Sequence, residues 1–375
     1  MPTMLPAAPK TLGRLSDVFI SALGAVTGHS NRLGLKRVSR AVVILVDGLG
    51  AENIRAAAGH APFLNAALRE NKSINTVFPS TTAAAITSFG TGASPSESGI
   101  FGYSVYDRVG ALTRNMLSGW DDTFIPGKYQ RLTSIADQAR AAGVRSYTVG
   151  PGEYAETGFT ALNMSGASYI PAKSFAERAD ATIKIVKAKA ESLTYVYFPE
   201  LDAAAHAFGA ASQTWLNLIE DLDSTIRNLI NALPTDVGLL VTADHGIIDV
   251  PKEKQVLLDE IDIPDLIAVT GDPRNCFLYF SPGAHVEESK RLLETQLAGA
   301  GFVATVQDLQ RGAWLSSQIS NPEFLPDLFL IAHSDRAFYH RAYAKPQSLR
   351  MIGQHGGISS AELSVPLLKL AGFAL

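Results

Sequence analysis

AVVILVDGLG, residues 41–50, sets six apolar residues before an aspartate that is followed by Gly-Leu-Gly. A run of that length without polar alternation reads as a strand covered on both faces, the habit of parallel sheets. Asp47 then falls at the carboxyl end of the strand, the rim on which open α/β sheets gather their binding residues. The same grammar recurs: TYVYFP (194–199) precedes Asp202 and His206, and VGLLVTA (237–243) precedes Asp244 and His245.

Helical and strand patterns alternate around these runs. Helices are predicted over 51–70, 134–142, 174–191 and 213–233, and strands over 74–78, 146–149, 195–198 and 238–241. This order implies a doubly wound, mostly parallel sheet with helices on both faces. Beyond residue 251 the rhythm changes to a strand at 276–280, a helix at 287–297, a strand at 302–306 and a short helix at 308–315. His355, in GQHGG (353–357), has to return to the rim that carries His245. The expected organisation is therefore an N-terminal helical segment over 1–40, an α/β core over 41–251 and 346–375, and a small inserted α+β cap over 252–345.

The chain has 375 residues, 46% of them apolar, and a net charge of −4. Such a charge offers no basic field for a nucleic-acid polymer, which leaves small molecules as the expected partners and the oligomeric state open. Cys276 is the only cysteine, so an intrachain disulfide is excluded, in keeping with a reducing compartment. The apolar stretch 18–26 is shorter than the ~20 residues of a membrane span. It lacks the flanks of a secretory leader, and is predicted as an amphipathic helix of a cytoplasmic protein.

Asp47 alone serves equally as a helix N-cap or a ligand. Asp244-His245-Gly246 is sharper, because a carboxylate and an imidazole on adjacent residues converge only where the chain leaves its strand, a turn that glycine permits. Asp202 and His206 are four apart and share one helix face. A lone histidine in a glycine-rich loop is ordinarily a surface residue, but His355 completes a set with Asp202 and His206. Two divalent ions follow, one on Asp47, Asp244 and His245 and the other on Asp202, His206 and His355. Mixed carboxylate and imidazole donors without thiolate suit Zn2+ first and Mn2+ second.

FPSTTAAA (78–85) joins a strand to a helix and sets three hydroxyl residues at its start. Capping explains one of them. A helix dipole is worth about 1 kcal/mol, too little to make threonine a strong nucleophile, whereas an adjacent divalent cation depresses a hydroxyl pKa far more.

With these motifs in order, the chain resembles the type I phosphodiesterase/nucleotide pyrophosphatase branch of the alkaline phosphatase superfamily over about 41–360. VDGLG is similar to the first ligand motif, VFPSTTAAAITSFGTGASPSESGI to the nucleophile segment, and TADHGIIDV and GQHGG to the later ones. The resemblance implies an alkaline-phosphatase-like fold and a two-metal phosphohydrolase of diesters or pyrophosphates working through a phosphothreonine. It implies Thr82, four residues after Phe78, as nucleophile and metal ligand, with Thr81 the runner-up. VGPGEY (149–154) is similar to a substrate-side loop and makes Glu153 and Tyr154 candidate substrate contacts. Nucleotide-cleaving members usually follow the nucleophile with Phe-Pro-Asn, where this chain has Ala83-Ala84-Ala85. Little base preference is therefore expected. Alternatives are a carbon–phosphorus hydrolase of phosphonoacetate-like substrates, a phosphomonoesterase or sulfatase-like enzyme, and a non-enzymatic binding module.

Overall fold

The computed structural model of the chain describes residues 5–10 and 13–374. Of the N-terminal segment, residues 1–4, 11 and 12 lie outside the described residues. The helix α1 (Val18–Thr27) differs from the amphipathic helix expected there. Val18, Phe19 and Ser21 to Val26 are all buried, because α1 packs against the sheet and two further helices at once.

The main sheet has seven strands: β1 (Arg40–Val46), β2 (Lys72–Asn75), β3 (Arg145–Gly150), β4 (Ser168–Pro171), β5 (Ser192–Phe198), β6 (Val237–Thr242) and β11 (Ser364–Ala371), in the order β2-β11-β6-β1-β5-β3-β4. The five strands from β6 to β4 are parallel, with β1 central between β5 and β6. Every residue of β1 is buried, which is why its sequence shows no alternation. The last strand, β11, which the sequence reading did not anticipate, runs antiparallel between β6 and β2. The helix expected over 51–70 is broken into Ala51–Ala56 and Pro62–Glu70. Pro62 opens the second piece at the position where its missing N–H has no helical partner to lose.

A second sheet lies between β6 and β11 in the chain. Its strands β7 (Leu266–Asp272), β8 (Asn275–Phe280), β9 (Gly301–Ala304) and β10 (Leu328–Ala332) are antiparallel in the order β7-β8-β10-β9. One face rests on residues 100–129, where Phe101, Val105, Met116, Phe124 and Tyr129 form a core with Phe277, Tyr279 and Phe329. The other face is covered by the helix Val286–Gln296, through Leu293 and its neighbours. A two-residue ribbon ties the two parts together: Gly353 and Gln354 pair antiparallel with Asp249 and Ile248, which returns the chain to the rim where β6 ends.

Candidate metal centre and nucleophile

All the charged motif residues converge on the carboxyl rim of β1, β5 and β6. Asp47 leaves β1 and its N–H bonds Phe198 O at the end of β5 (2.9 Å). Gly48 then turns with φ +72, and a Cβ there would stand 3.0 Å from Asp202 Cβ. The loop after β1 therefore lies directly against the helix α3 (Glu200–Phe208) that follows β5. On α3, His206 Nε2 lies 3.2 Å from Asp202 Oδ2. His355 Nε2 approaches the other oxygen of Asp202, at 3.9 Å.

His245 is fully buried, with Nε2 3.3 Å from Asp47 Oδ1 and 3.4 Å from Asp244 Oδ2. Its ring stacks on His355, with centroids 3.7 Å apart. Donor atoms of Asp47, Asp244 and His245 fall within 4.8 Å of one another, and so do those of Asp202, His245 and His355. His245 is thus the hinge between the two groups, a position that sequence spacing did not disclose.

Each imidazole is aimed by a backbone carbonyl. Nδ1 of His206 faces Gly353 O (2.7 Å), Nδ1 of His245 faces Gly246 O (3.2 Å), and Nδ1 of His355 faces Ser80 O (3.1 Å). A carbonyl only accepts, so each Nδ1 carries a proton and each Nε2 is turned toward the carboxylates. That is the arrangement by which metal-ligating histidines are oriented.

Three buried carboxylate oxygens, Asp47 Oδ1, Asp202 Oδ1 and Asp244 Oδ2, accept no hydrogen bond from the described residues. Among the described residues, the ion-pair partners of these carboxylates are histidines alone. Burial together with the neighbouring carboxylates pushes Asp47 well above the usual carboxyl range and Asp244 up to about 7. Burial lowers His245 to about 4 and, with the His245 charge, His355 to about 3. A desolvated cluster of carboxylates faced by the Nε2 atoms of His245 and His355, both held toward the neutral imidazole by burial, fits divalent cations, whose charge would reverse these penalties. The donor set is O and N throughout, since Cys276 is buried in the second sheet.

Thr82 opens the helix α2 (Thr82–Thr91) and is half-buried, with Oγ1 3.1 Å from His245 Nε2. Thr81, the N-cap, is fully buried, and its hydroxyl has no hydrogen-bond partner among the described residues. Of the two threonines, Thr82 is the one beside the cluster. Ser80 locks this segment to the GQHGG loop by donating to Gly357 O at 2.8 Å. Ala83, Ala84 and Ala85 are buried and present no aromatic or donor side chain to the rim.

The substrate-side candidates divide. Tyr154 is half-buried, edge-on to Tyr197 at 6.0 Å, and its hydroxyl is pushed up to about 12 by burial and by Glu153. Glu153 is exposed on the same short turn. Tyr197, which the sequence reading passed over, donates its hydroxyl to Asp47 Oδ2. Only the register of β5 against β1, which pairs Tyr197 with Leu45, brings it there.

A family model described as type I phosphodiesterase / nucleotide pyrophosphatase matches residues 41–358. No curated protein matches the chain closely enough to count as a relative. Among solved structures, the chain is similar to murine ectonucleotide pyrophosphatase/phosphodiesterase 5, with TM-score 0.68 and 18% identity over 87% of each chain. A threonine-to-alanine form of that murine protein, described as inactive and in complex with AMP, gives 0.67 and 17%, again over 87% of each chain. Phosphonoacetate hydrolase from Sinorhizobium meliloti 1021, in complex with phosphonoformate, gives 0.66 and 19% over 88% of this chain and 89% of that one. At these identities the structural likeness is one of fold.

Proposed function

The chain belongs to the type I phosphodiesterase/nucleotide pyrophosphatase family, and from that premise we propose how its rim carries out hydrolysis. Membership makes it a hydrolase of phosphodiester or pyrophosphate bonds within the alkaline phosphatase superfamily. The proposal concerns the nucleophile, the ions and the substrate.

Thr82 is the nucleophile. The observation that carries this is its hydroxyl 3.1 Å from His245 Nε2, at the edge of a cluster holding three buried carboxylate oxygens without hydrogen bonds. The inactive threonine-to-alanine form of the murine relative supports the same reading. Asp47, Asp244 and His245, with Thr82, would hold one divalent ion, and Asp202, His206 and His355 the other, with zinc the first candidate and manganese the second. When bound, the two ions supply Lewis-acid stabilisation of the phosphoryl oxygens and lower the pKa of the Thr82 hydroxyl.

Thr82 Oγ gives its proton to solvent and attacks phosphorus in line. The bond to the leaving oxygen breaks, that oxygen keeps the electron pair and takes a proton from water, and a phosphothreonine remains. Attack by water on the same phosphorus then releases the phosphoryl product and restores the Thr82 hydroxyl. His206, His245 and His355 hold their Nε2 positions throughout because their Nδ1 protons are engaged by backbone carbonyls. Tyr197 holds Asp47, and Tyr154 and Glu153 border the space open to the leaving group.

The substrate is a small phosphodiester or pyrophosphate with little selection by base, since Ala83 is buried where a stacking ring would stand. The site of action is the cytoplasm. Within the described residues no helix is long and apolar enough to cross a membrane. A panel of bis-aryl phosphate, aryl phosphate, dinucleotide and phosphonoacetate, assayed with added zinc or manganese, tests the substrate reading. Faster turnover of the diester than of the monoester with the same leaving group is expected. Release of phosphate from phosphonoacetate with diesters untouched would replace it with carbon–phosphorus cleavage.

A further inference from the structure

We propose that Arg274 and Glu362 are a positioning pair through which the second sheet holds the His355 loop and sets the affinity of the Asp202–His206–His355 centre. The inference rests on the two-ion reading above. Both side chains are fully buried. Arg274 meets the carboxylate with two parallel bonds, Nε to Oε1 at 2.9 Å and Nη2 to Oε2 at 2.7 Å. Its remaining Nη1 donates to the carbonyls of Ser334 and Arg336 in the inserted part of the chain.

Glu362 turns this anchor toward the rim. Its Oε1 accepts the N–H of Gly357 at 2.8 Å, two residues after His355, and Oε2 accepts the Ser359 hydroxyl at 2.6 Å. Its backbone carbonyl accepts the N–H of Gly246 at 2.9 Å, one residue after His245. Contact is close enough to be specific: a Cβ on Gly357 would stand 2.9 Å from both carboxylate oxygens. From the second sheet, Asp272 presses on the preceding residue, where a Cβ on Gly356 would lie 3.0 Å from Asp272 Cβ.

A buried ion pair has to offset the cost of removing both charges from water, and an apolar pair often stabilises as well. What an apolar pair cannot supply is an acceptor for Gly357 N–H. The pair therefore fixes geometry, and it does so selectively. His355 is backed only by the two-residue ribbon Gly353–Gln354 and a single bridge from Gly356 to Ser80, whereas Asp202 and His206 are placed by α3 and Asp47 by the end of β1.

The test is a calorimetric titration of the metal-free protein with zinc, supported by the absorption spectrum of cobalt(II) at each site. Arg274→Met/Glu362→Ala removes the anchor without leaving a lone buried charge. One of the two ions should then bind roughly 10–100-fold more weakly, and the other within about threefold of wild type. Arg274→Met/Glu362→Gln keeps an acceptor oxygen for Gly357 and should bring the affinity back to within severalfold. Gly357→Ala pushes the loop off an intact pair, should give the same selective loss, and carries the test if the alanine double variant does not fold. Equal weakening of both ions, no weakening, or a loss that glutamine fails to rescue would overturn the assignment. Wild-type protein that takes up no divalent ion would remove the two-ion reading and this inference with it.

Discussion

The two candidate ligand groups on the rim are built to different standards of closure. Asp244 and His245 have fully buried side chains and Asp47 retains 5% exposure, whereas Asp202 and His206 keep 14% and 19%. Their protonation differs as well. Asp47 and Asp244 are pushed toward the neutral acid by burial, while Asp202 is held low, against burial, by the charge of His206. His206 is in turn raised to about 9, against burial, by Asp202. The closed group adjoins Thr82 and suits activation of a nucleophile away from bulk water. The open group is the one that retains contact with solvent.

The sharpest way to break this division is at the nucleophile. Thr82→Ala should lower turnover by roughly the 10²–10⁴ or more that loss of a nucleophile or general base brings, with both ions still bound. Thr81→Ala should leave turnover within about tenfold. Kinetics with metal analysis on both variants decides, and a reversal of the two results would move the nucleophile by one residue.

Next in size come the ligands. Asp244→Ala should take the stoichiometry from two ions toward one and cost turnover roughly a hundred- to a thousandfold, as loss of preorganised charge stabilisation does. Asp202→Ala should also lose one ion, but the other one, so the two variants retain sites with different cobalt spectra. If both variants kept two ions, the grouping would fail.

A third prediction uses pH. His206, raised from 6.5 to about 9, stabilises the metal-free fold below pH 6.5, and this contribution is lost as pH rises through 9. Asp244, raised from 3.8 to about 7, loses its contribution over the lower end of the same window. His245 and His355 have lowered pKa values and are neutral in the fold, so they raise stability only until the unfolded imidazoles lose their protons and add nothing beyond about one pH unit above 6.5. The melting temperature of the metal-free protein should therefore fall from about pH 7.5 to 9, where His206 is the group still titrating. Saturating zinc, which keeps His206 unprotonated, should flatten that slope. A metal-free melting temperature that rises across the window would contradict the Asp202–His206 ion pair.

The smallest effect is expected at Tyr197→Phe, which removes one donor from Asp47. A loss of about tenfold in affinity for the closed-group ion is expected, at the low end for an outer-shell partner, with the open group unaffected. Isothermal titration reads it directly.

The legibility of the rim has a physical basis. Asp47, Asp244 and His245 could be read because a fully buried parallel strand writes an unbroken apolar run and the first polar residue after it must lie on the rim. Asp202 and His206 were readable from helical spacing. Tyr197 and Glu362 were not, since each acts through a partner more than 80 residues away, Asp47 in one case and Arg274 in the other. Strand β11 was hidden for a related reason: its place between β6 and β2 is a tertiary choice that no local period announces. The break before Pro62 was written in the sequence, but the amphipathic period on either side of it masked the stop.

Gly48 carries a consequence for how this enzyme could change. With its φ of +72, and with any Cβ there falling only 3.0 Å from Asp202 Cβ, closer than ordinary van der Waals contact, it makes the interval between the closed and open groups a main-chain dimension. Side chains on the rim can be exchanged to alter what is bound. The gauge of the rim cannot follow them, because any larger residue at 48 would wedge α3 away from β1 and widen both groups together. Diversification of substrate under this architecture is therefore channelled into the surrounding loops and the second sheet, while the separation of the two groups stays as the backbone set it.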